Sequence, residues 1–255
     1  MNIYVLIYII VAIVGACIGS FLNVVIARLP EKGSFLSGRR SRCLSCGKTI
    51  KPYDLIPIFS WLILRGRCRN CKAHITVRYM LVEEAGAFLA LVCLWRFGLD
   101  YPALLFFGVS MILITIALID YDTSEIPDSL IVALVPFAFG SLWLFHDVTL
   151  LSHGIGAFTV ALPMLLLSLV VKGAFGGGDI KLMAICGFML GWQHTLIAFF
   201  IALILGGGTA IYLLASGKRK RSQHMVFGPA LCAGVFVAMF LGPMIFDFYM
   251  RIFNF

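Results

Sequence analysis

PALLFFGVSMILITIALI (102–119) runs for 18 residues without a charged side chain and ends on Asp120. A helix needs roughly 17–25 apolar residues to cross a hydrocarbon core about 30 Å thick, so this run has spanning length. Lipid offers the backbone no partners, and a helix is the form in which one segment satisfies its own N–H and C=O groups. Similar uncharged runs occupy residues 3–27, 129–145, 154–171, 195–215 and 225–246. Two weaker runs complete the set: 79–97, with Glu83 and Glu84 near one end, and 180–192, which has only 13 residues. The whole chain agrees, with 255 residues, 61% hydrophobic, and a mean hydropathy of +1.01. Soluble domains are about 45–50% apolar. The expectation is an all-α polytopic membrane protein with eight transmembrane helices. The first run lacks a basic flank and exceeds the roughly 7–15 residues of a signal-peptide core, so it reads as a retained span.

The formal charge of +8 is unevenly placed. Twelve of the 20 Lys and Arg fall between Arg28 and Arg78, where the acids are Glu31 and Asp54, and a second cluster, KRKR, occupies 218–221. Basic loops stay on the cytoplasmic side, which puts 28–78 and 216–224 inside and the N-terminus outside. Eight alternating spans satisfy both. Juxtamembrane basic residues meet anionic headgroups, so the partner expected for this charge is membrane lipid, with no nucleic acid.

Within the large loop, Cys43-Leu-Ser-Cys46 is followed after 21 residues by Cys68-Arg-Asn-Cys71. Two such pairs match a four-cysteine zinc site, and surrounding basic residues favour the thiolates. Disulfides compete, but a cytoplasmic loop disfavours them. A closed site of this kind folds a small loop-rich segment. Cys17, Cys93, Cys186 and Cys232 stand singly in apolar runs and read as small buried hydrophobes.

Acidic residues gather at the ends of the runs: Glu83-Glu84, then DYDTSEIPD (120–128), then Asp179 in FGGGDIK (175–181). Asp120 ends a span running inward and Asp179 begins one running outward, so both reach the cytoplasmic level. Two carboxylates close together in a poorly solvated site do not both ionise easily and come to share one proton. The ionised member can take a proton from water while its partner polarises a peptide carbonyl. Glycines 176–178 permit close approach of a substrate backbone. The alternatives are a helix-capping Asp179 with solvated loop acids, a proton-coupled transporter using the same carboxylates, and a non-catalytic zinc-loop scaffold.

Several motifs together resemble one family. GSFLNVVIARLP (19–30) resembles the opening signature of the type IV prepilin peptidases, bifunctional membrane enzymes related to the G-x-G-D aspartyl proteases. The cysteine pairs with Leu55-Ile-Pro57, Ser60-Trp61, Arg65-Gly-Arg67, Arg78-Tyr79 and Glu83 resemble its cytoplasmic domain. Asp120 with Ile126-Pro-Asp128, the segment Gly176-Gly-Gly-Asp-Ile-Lys181, and Phe227-Gly-Pro229 resemble its remaining signatures.

The resemblance implies a bacterial inner-membrane enzyme that cleaves the leader of type IV prepilins or type II secretion pseudopilins on the cytoplasmic side. It also implies N-methylation of the new N-terminus with S-adenosyl-L-methionine. Asp120 and Asp179 are the implied catalytic dyad, with Asp122 the nearest rival to Asp120. Methylation rests on the resemblance alone, since no glycine-rich nucleoside-binding loop follows a strand in 28–78. Glu83 is the candidate for the methylation site, by orienting the substrate ammonium or by pairing with Arg78 or a loop arginine. Asp128 is expected to cap the next helix. Lys181 is expected to pair with Asp179 or to reach a headgroup. His146, His153, His194 and His224 show no metal spacing and receive no role. The division is a first span (1–27), a zinc loop domain (28–78) and a seven-helix peptidase domain (79–255).

Overall fold

A computed structural model describes residues 3–30, 40–144, 148–171, 173–216 and 226–252. Glu31, the 218–221 cluster, His146 and His224 lie outside the described residues. Every apolar run folds as helix within its described part: α1 (Ile3–Arg28), α3 (Arg78–Phe97), α4 (Tyr101–Thr123), α5 (Asp128–Leu144), α6 (Leu150–Thr159), α7 (Ala161–Val170), α8 (Gly177–Ala215) and α9 (Gly228–Ile252), with a short α2 (Phe59–Ile63) in the loop. Among the described residues, five segments are long and apolar enough to cross a membrane: α1, α4, Leu150–Val170, Gly177–Leu213 and α9. The apolar α5 is shorter, at 17 residues.

Three of the boundaries that differ from those read in the sequence have a local cause. The run expected at 154–171 begins at Leu150, where the Thr149 hydroxyl accepts the Ser152 N–H, and divides at Val160. Pro163 explains the division: it has no N–H to give Thr159, four residues back, and its ring crowds that carbonyl. The break expected at 193–194 lies at Gly191 instead (φ 75, ψ 164), a left-handed backbone that side chains resist. Finally, α4 continues past Asp120 to Thr123 and ends at Ser124 (φ 57), whose N–H donates to the Asp120 carbonyl at 2.7 Å. Asp120 therefore sits in the last helical turn.

The chain divides into two compact units, Met1–Phe107 and Gly108–Phe255. In the first, α1 and α3 lie against each other with backbones nearly touching: a Cβ on Gly15 would meet the Gly86 carbonyl, and one on Gly19 would lie 2.9 Å from the Glu83 Cα. Small residues four apart on α1 allow this approach, the usual way helices associate where lipid removes the hydrophobic drive. Asn23 adds a hydrogen bond from Nδ2 to the Tyr79 carbonyl at 2.9 Å.

In the second unit α8 is the hub, in contact with α5, α6, α7 and α9. The break at Gly191 frees carbonyls of the preceding turn, which need partners where they are buried. Thr195 Oγ1 donates to the Gly191 carbonyl at 2.6 Å, and His194 Nδ1 to that of Leu190 at 3.2 Å. His153 Nδ1 donates to the Phe188 carbonyl at 2.7 Å; since a carbonyl only accepts, this nitrogen carries the proton. The sequence leaves His153 without a role, and the structure buries it as a helix-pairing residue.

Candidate functional site

The second unit collects four of the segments singled out in the sequence. Asp120 is 5% exposed, whereas Asp122, two residues along the same turn, faces outward. The buried carboxylate accepts the N–H of Gly228 on Oδ2 at 3.0 Å. Gly228 opens α9, so Asp120 satisfies one of the donors that a helix start leaves unpaired. Asp179 lies in the first turn of α8, and its Oδ2 accepts the Gly176 N–H at 3.1 Å, the reach-back half of a capping box. Each carboxylate thus has one oxygen held by a backbone donor at a helix N-terminus, where negative charge is favoured. Gly178 meets Ile126 and Phe175 meets Phe227, next to the donors Gly176 and Gly228, so the two carboxylates share one neighbourhood.

The walls follow from glycines and apolar contacts. A Cβ on Gly178 would sit 2.8 Å from the Ile126 Cβ, so the missing side chain lets the Ile126-Pro127 corner close on the start of α8. Phe175 and Phe227 bring the two glycine-bearing segments together with ring centroids 5.6 Å apart. Cys186 and Cys232 are buried, as expected. Cys93 is buried as expected, while Cys17 is exposed on α1. Lys181 pairs with Asp128 in place of Asp179: its Nζ donates to Asp128 Oδ1 at 2.7 Å on the exposed surface. The first turn of α5 brings Asp128 within reach, and Asp179 is already turned back to Gly176.

In the first unit the four cysteines meet. Their sulfurs all lie within 4.8 Å of one another, and Cys43 and Cys71 are 3.8 Å apart. Zinc–sulfur bonds of about 2.3 Å in a tetrahedron require sulfur separations of about 3.8 Å, so the geometry fits the ion. Two matching knuckles produce it. The Cys43 N–H donates to the Lys48 carbonyl and the Cys68 N–H to that of Ala73. Each knuckle turns left-handed just after its second cysteine, at Gly47 (φ 69) and Lys72 (φ 60). The N–H groups of Cys46 and Ser45 point at the Cys43 sulfur and draw its pKa down to about 6. The Ala73 N–H does the same for Cys71, but desolvation and the neighbouring sulfurs outweigh it and push that thiol up to about 11. Such crowding of thiols is relieved by a shared cation.

Behind the knuckles lies a contact the sequence reading missed. Arg69, inside the second Cys pair, grips Asp54 with Nε at 2.9 and 3.0 Å and Nη2 at 2.6 Å, and its guanidinium lies 5.3 Å from the Tyr53 ring centre. The signal was one acid amid many arginines. Glu83 accepts the Ile58 N–H on Oε2 at 2.7 Å, tying a left-handed loop corner (Ile58, φ 64) to α3.

Comparison with known proteins identifies the family. Residues 13–97 match the Bacterial Peptidase A24 N-terminal domain and residues 105–211 the Type IV leader peptidase family. A prepilin leader peptidase/N-methyltransferase of Pseudomonas putida is 32% identical, over 95% of this chain and 93% of that protein. Its namesake in Bacillus subtilis is 31% identical, over 94% of this chain and 96% of its own length. The one in Myxococcus xanthus is 36% identical, over 86% and 67% respectively. No solved structure matches the chain. From the first cysteine knuckle to the buried aspartates, the chain belongs to the type IV leader peptidase family.

Proposed function

We propose that Asp120 and Asp179 form the catalytic dyad of this leader peptidase, which cleaves prepilins or type II secretion pseudopilins at the cytoplasmic face of the bacterial inner membrane. The observation that carries the reading is the pairing of each carboxylate, through one oxygen, with a backbone N–H at the start of a helix in the same unit. That fixes the two groups while a second oxygen on each remains for the chemistry. The pair holds one proton. The ionised carboxylate takes a proton from a water whose oxygen attacks the scissile carbonyl, and the protonated partner donates to the carbonyl oxygen. Collapse breaks the C–N bond as a proton passes to the leaving amine. No acyl-enzyme forms.

The chain makes eight crossings in this proposal, with the N-terminus outside and 28–78 inside. The 37 residues of Gly177–Leu213 would extend about 55 Å as one helix against a core of about 30 Å, so the Gly191 break supports two crossings. The first half is then shorter than the core, which draws Asp179 below the cytoplasmic surface. Cys43, Cys46, Cys68 and Cys71 hold zinc, which supplies folding energy to the loop domain. The new N-terminal amine is methylated with S-adenosyl-L-methionine. We assign Glu83 to the methylation site as a positioning residue, through the corner it holds at Ile58.

Mass spectrometry of a co-expressed prepilin's N-terminus reads both activities. The expected product with the native chain is leaderless and N-methylated, and Asp120→Asn or Asp179→Asn each leaves the leader in place. Normal processing by either variant overturns the dyad.

A further inference from the structure

The loop segment 57–64 ends up beside the spans. Ile58 is bonded to Glu83, and Glu83 packs against Gly19 of α1. Gly19 lies eight residues before Ala27, the last apolar residue of α1, or about 12 Å along the helix axis. The carboxylate therefore ties the corner to a residue of α3 whose backbone passes Gly19, inside the apolar part of α1. Ile58 is β-branched at φ 64, a backbone that such residues enter only when their surroundings impose it. Here the imposing group is a carboxylate.

What the corner presents is apolar. In α2, Phe59 is 63% exposed, Leu62 52% and Ile63 74%. The polar side-chain groups of this short helix are satisfied within the loop: the Ser60 hydroxyl donates to the Ile56 carbonyl at 2.6 Å, and Trp61 Nε1 to that of Ile75 at 3.2 Å. Exposed arginines follow at Arg65 and Arg67. An apolar face with satisfied polar atoms and adjoining cations is the composition of a segment lying in the headgroup and acyl boundary.

We propose that residues 57–64 are a membrane wedge: Phe59, Leu62 and Ile63 insert among the acyl chains of the leaflet that meets the loop, held at that depth by Glu83. The exposed Arg65 and Arg67 beside this apolar face match anionic headgroups above an acyl layer, which makes acyl chains its occupant. The inference rests on α1 being a membrane span, and the experiment reads that separately.

A photocrosslinking benzophenone side chain is placed at position 63, and in a second chain at position 44, in the full-length protein in bacterial membranes. Leu44 is 96% exposed in the first cysteine knuckle and serves as the solvent-side control. After irradiation, intact-mass measurement is expected to show phospholipid adducts at 63 at several times the level at 44. In Glu83→Gln, which loses the charge on the strut, the excess at 63 is expected to fall. Equal lipid labelling at the two positions, or adducts at 63 to a second copy or to a prepilin in place of lipid, overturns the wedge. Retention of both chains in alkali-washed membranes checks the span itself, so a chain that stays while position 63 fails to label condemns the wedge alone.

Discussion

Gly228 donates its backbone N–H to Asp120 Oδ2 at 3.0 Å across 108 residues of chain. The bond exists because position 228 has no side chain: a Cβ there would lie 2.8 Å from the Asp120 Cγ and closer still to the accepting oxygen. Gly228→Ala is therefore expected to push the carboxyl off its donor and lower leader cleavage by at least about tenfold, the scale of one misplaced proton-transfer group. Processing of a prepilin by the purified variant measures it. Cleavage at the native rate, with the chain folded, would show that this contact does not set the carboxylate's position.

The glycine triplet can be separated residue by residue. Gly177 has no atom within 4 Å of its missing Cβ, whereas that of Gly178 would lie 2.8 Å from the Ile126 Cβ. Gly177→Ala should leave cleavage within about twofold of native, while Gly178→Ala should displace the α8 start and reduce it tenfold or more, as overpacking strains a tight contact. A backbone-freedom account of the triplet predicts equal losses at both positions, and equal losses would refute the packing account.

Apolar run lengths alone located all of the long helices, because membrane depth leaves the backbone little choice. The same reasoning put both aspartates at helix ends, and they lie in the last turn of α4 and the first turn of α8. It could not find the partners: Gly228 lies 108 residues from Asp120, and no pattern in the sequence encodes which donor a buried carboxylate will meet. Lys181 went to Asp128 because the Ile126-Pro127 corner folds onto Gly178, a tertiary contact. The helix breaks at Val160 and Gly191 were blurred by windows that count hydropathy but not the missing N–H of Pro163 or the left-handed preference of glycine. The cysteine cluster was legible since ligand spacing is local.

Four sulfurs within 4.8 Å predict about one zinc per chain. Cys43→Ser and Cys71→Ser are each expected to lose most of the metal by elemental analysis and to render the loop sensitive to trypsin, whose sites are abundant there. Cys93→Ser leaves the metal in place, since Cys93 is buried on α3 away from the cluster. Full zinc in either knuckle variant would contradict a four-thiolate site.

The Arg69 guanidinium beside Asp54 holds its carboxyl below the ordinary value of 3.8. A carboxyl lowered in the folded state stabilises fully above its unfolded value and loses that contribution as pH falls through the folded one. Asp54→Asn should then lower the thermal midpoint of the solubilised chain equally at pH 7 and pH 5, with the gap closing below about pH 4. Both chains carry the same cysteines, so acid loss of metal moves them together. A gap that persists unchanged at the lowest pH would mean that Asp54 acts through packing instead of charge.

The contact between α1 and α3 supports the loop as well as the spans, because Glu83 stands where Gly19 passes. Gly15 and Gly86 each face the other's carbonyl with no room for a side chain. Gly15→Leu is expected to separate the helices at a cost of about 1–3 kcal/mol, the range for overpacked sites. The consequence reaches further than stability: as α1 leaves α3, the support behind Glu83 goes with it, and the Ile58 corner loosens. Trypsin cleavage near Arg65 should therefore speed up in Gly15→Leu. Gly207→Leu, on α8 where nothing lies within 4 Å, should leave the digestion pattern native. A native pattern in Gly15→Leu together with a lowered midpoint would uncouple the loop from the helix pair and assign its anchoring to the cysteine cluster alone.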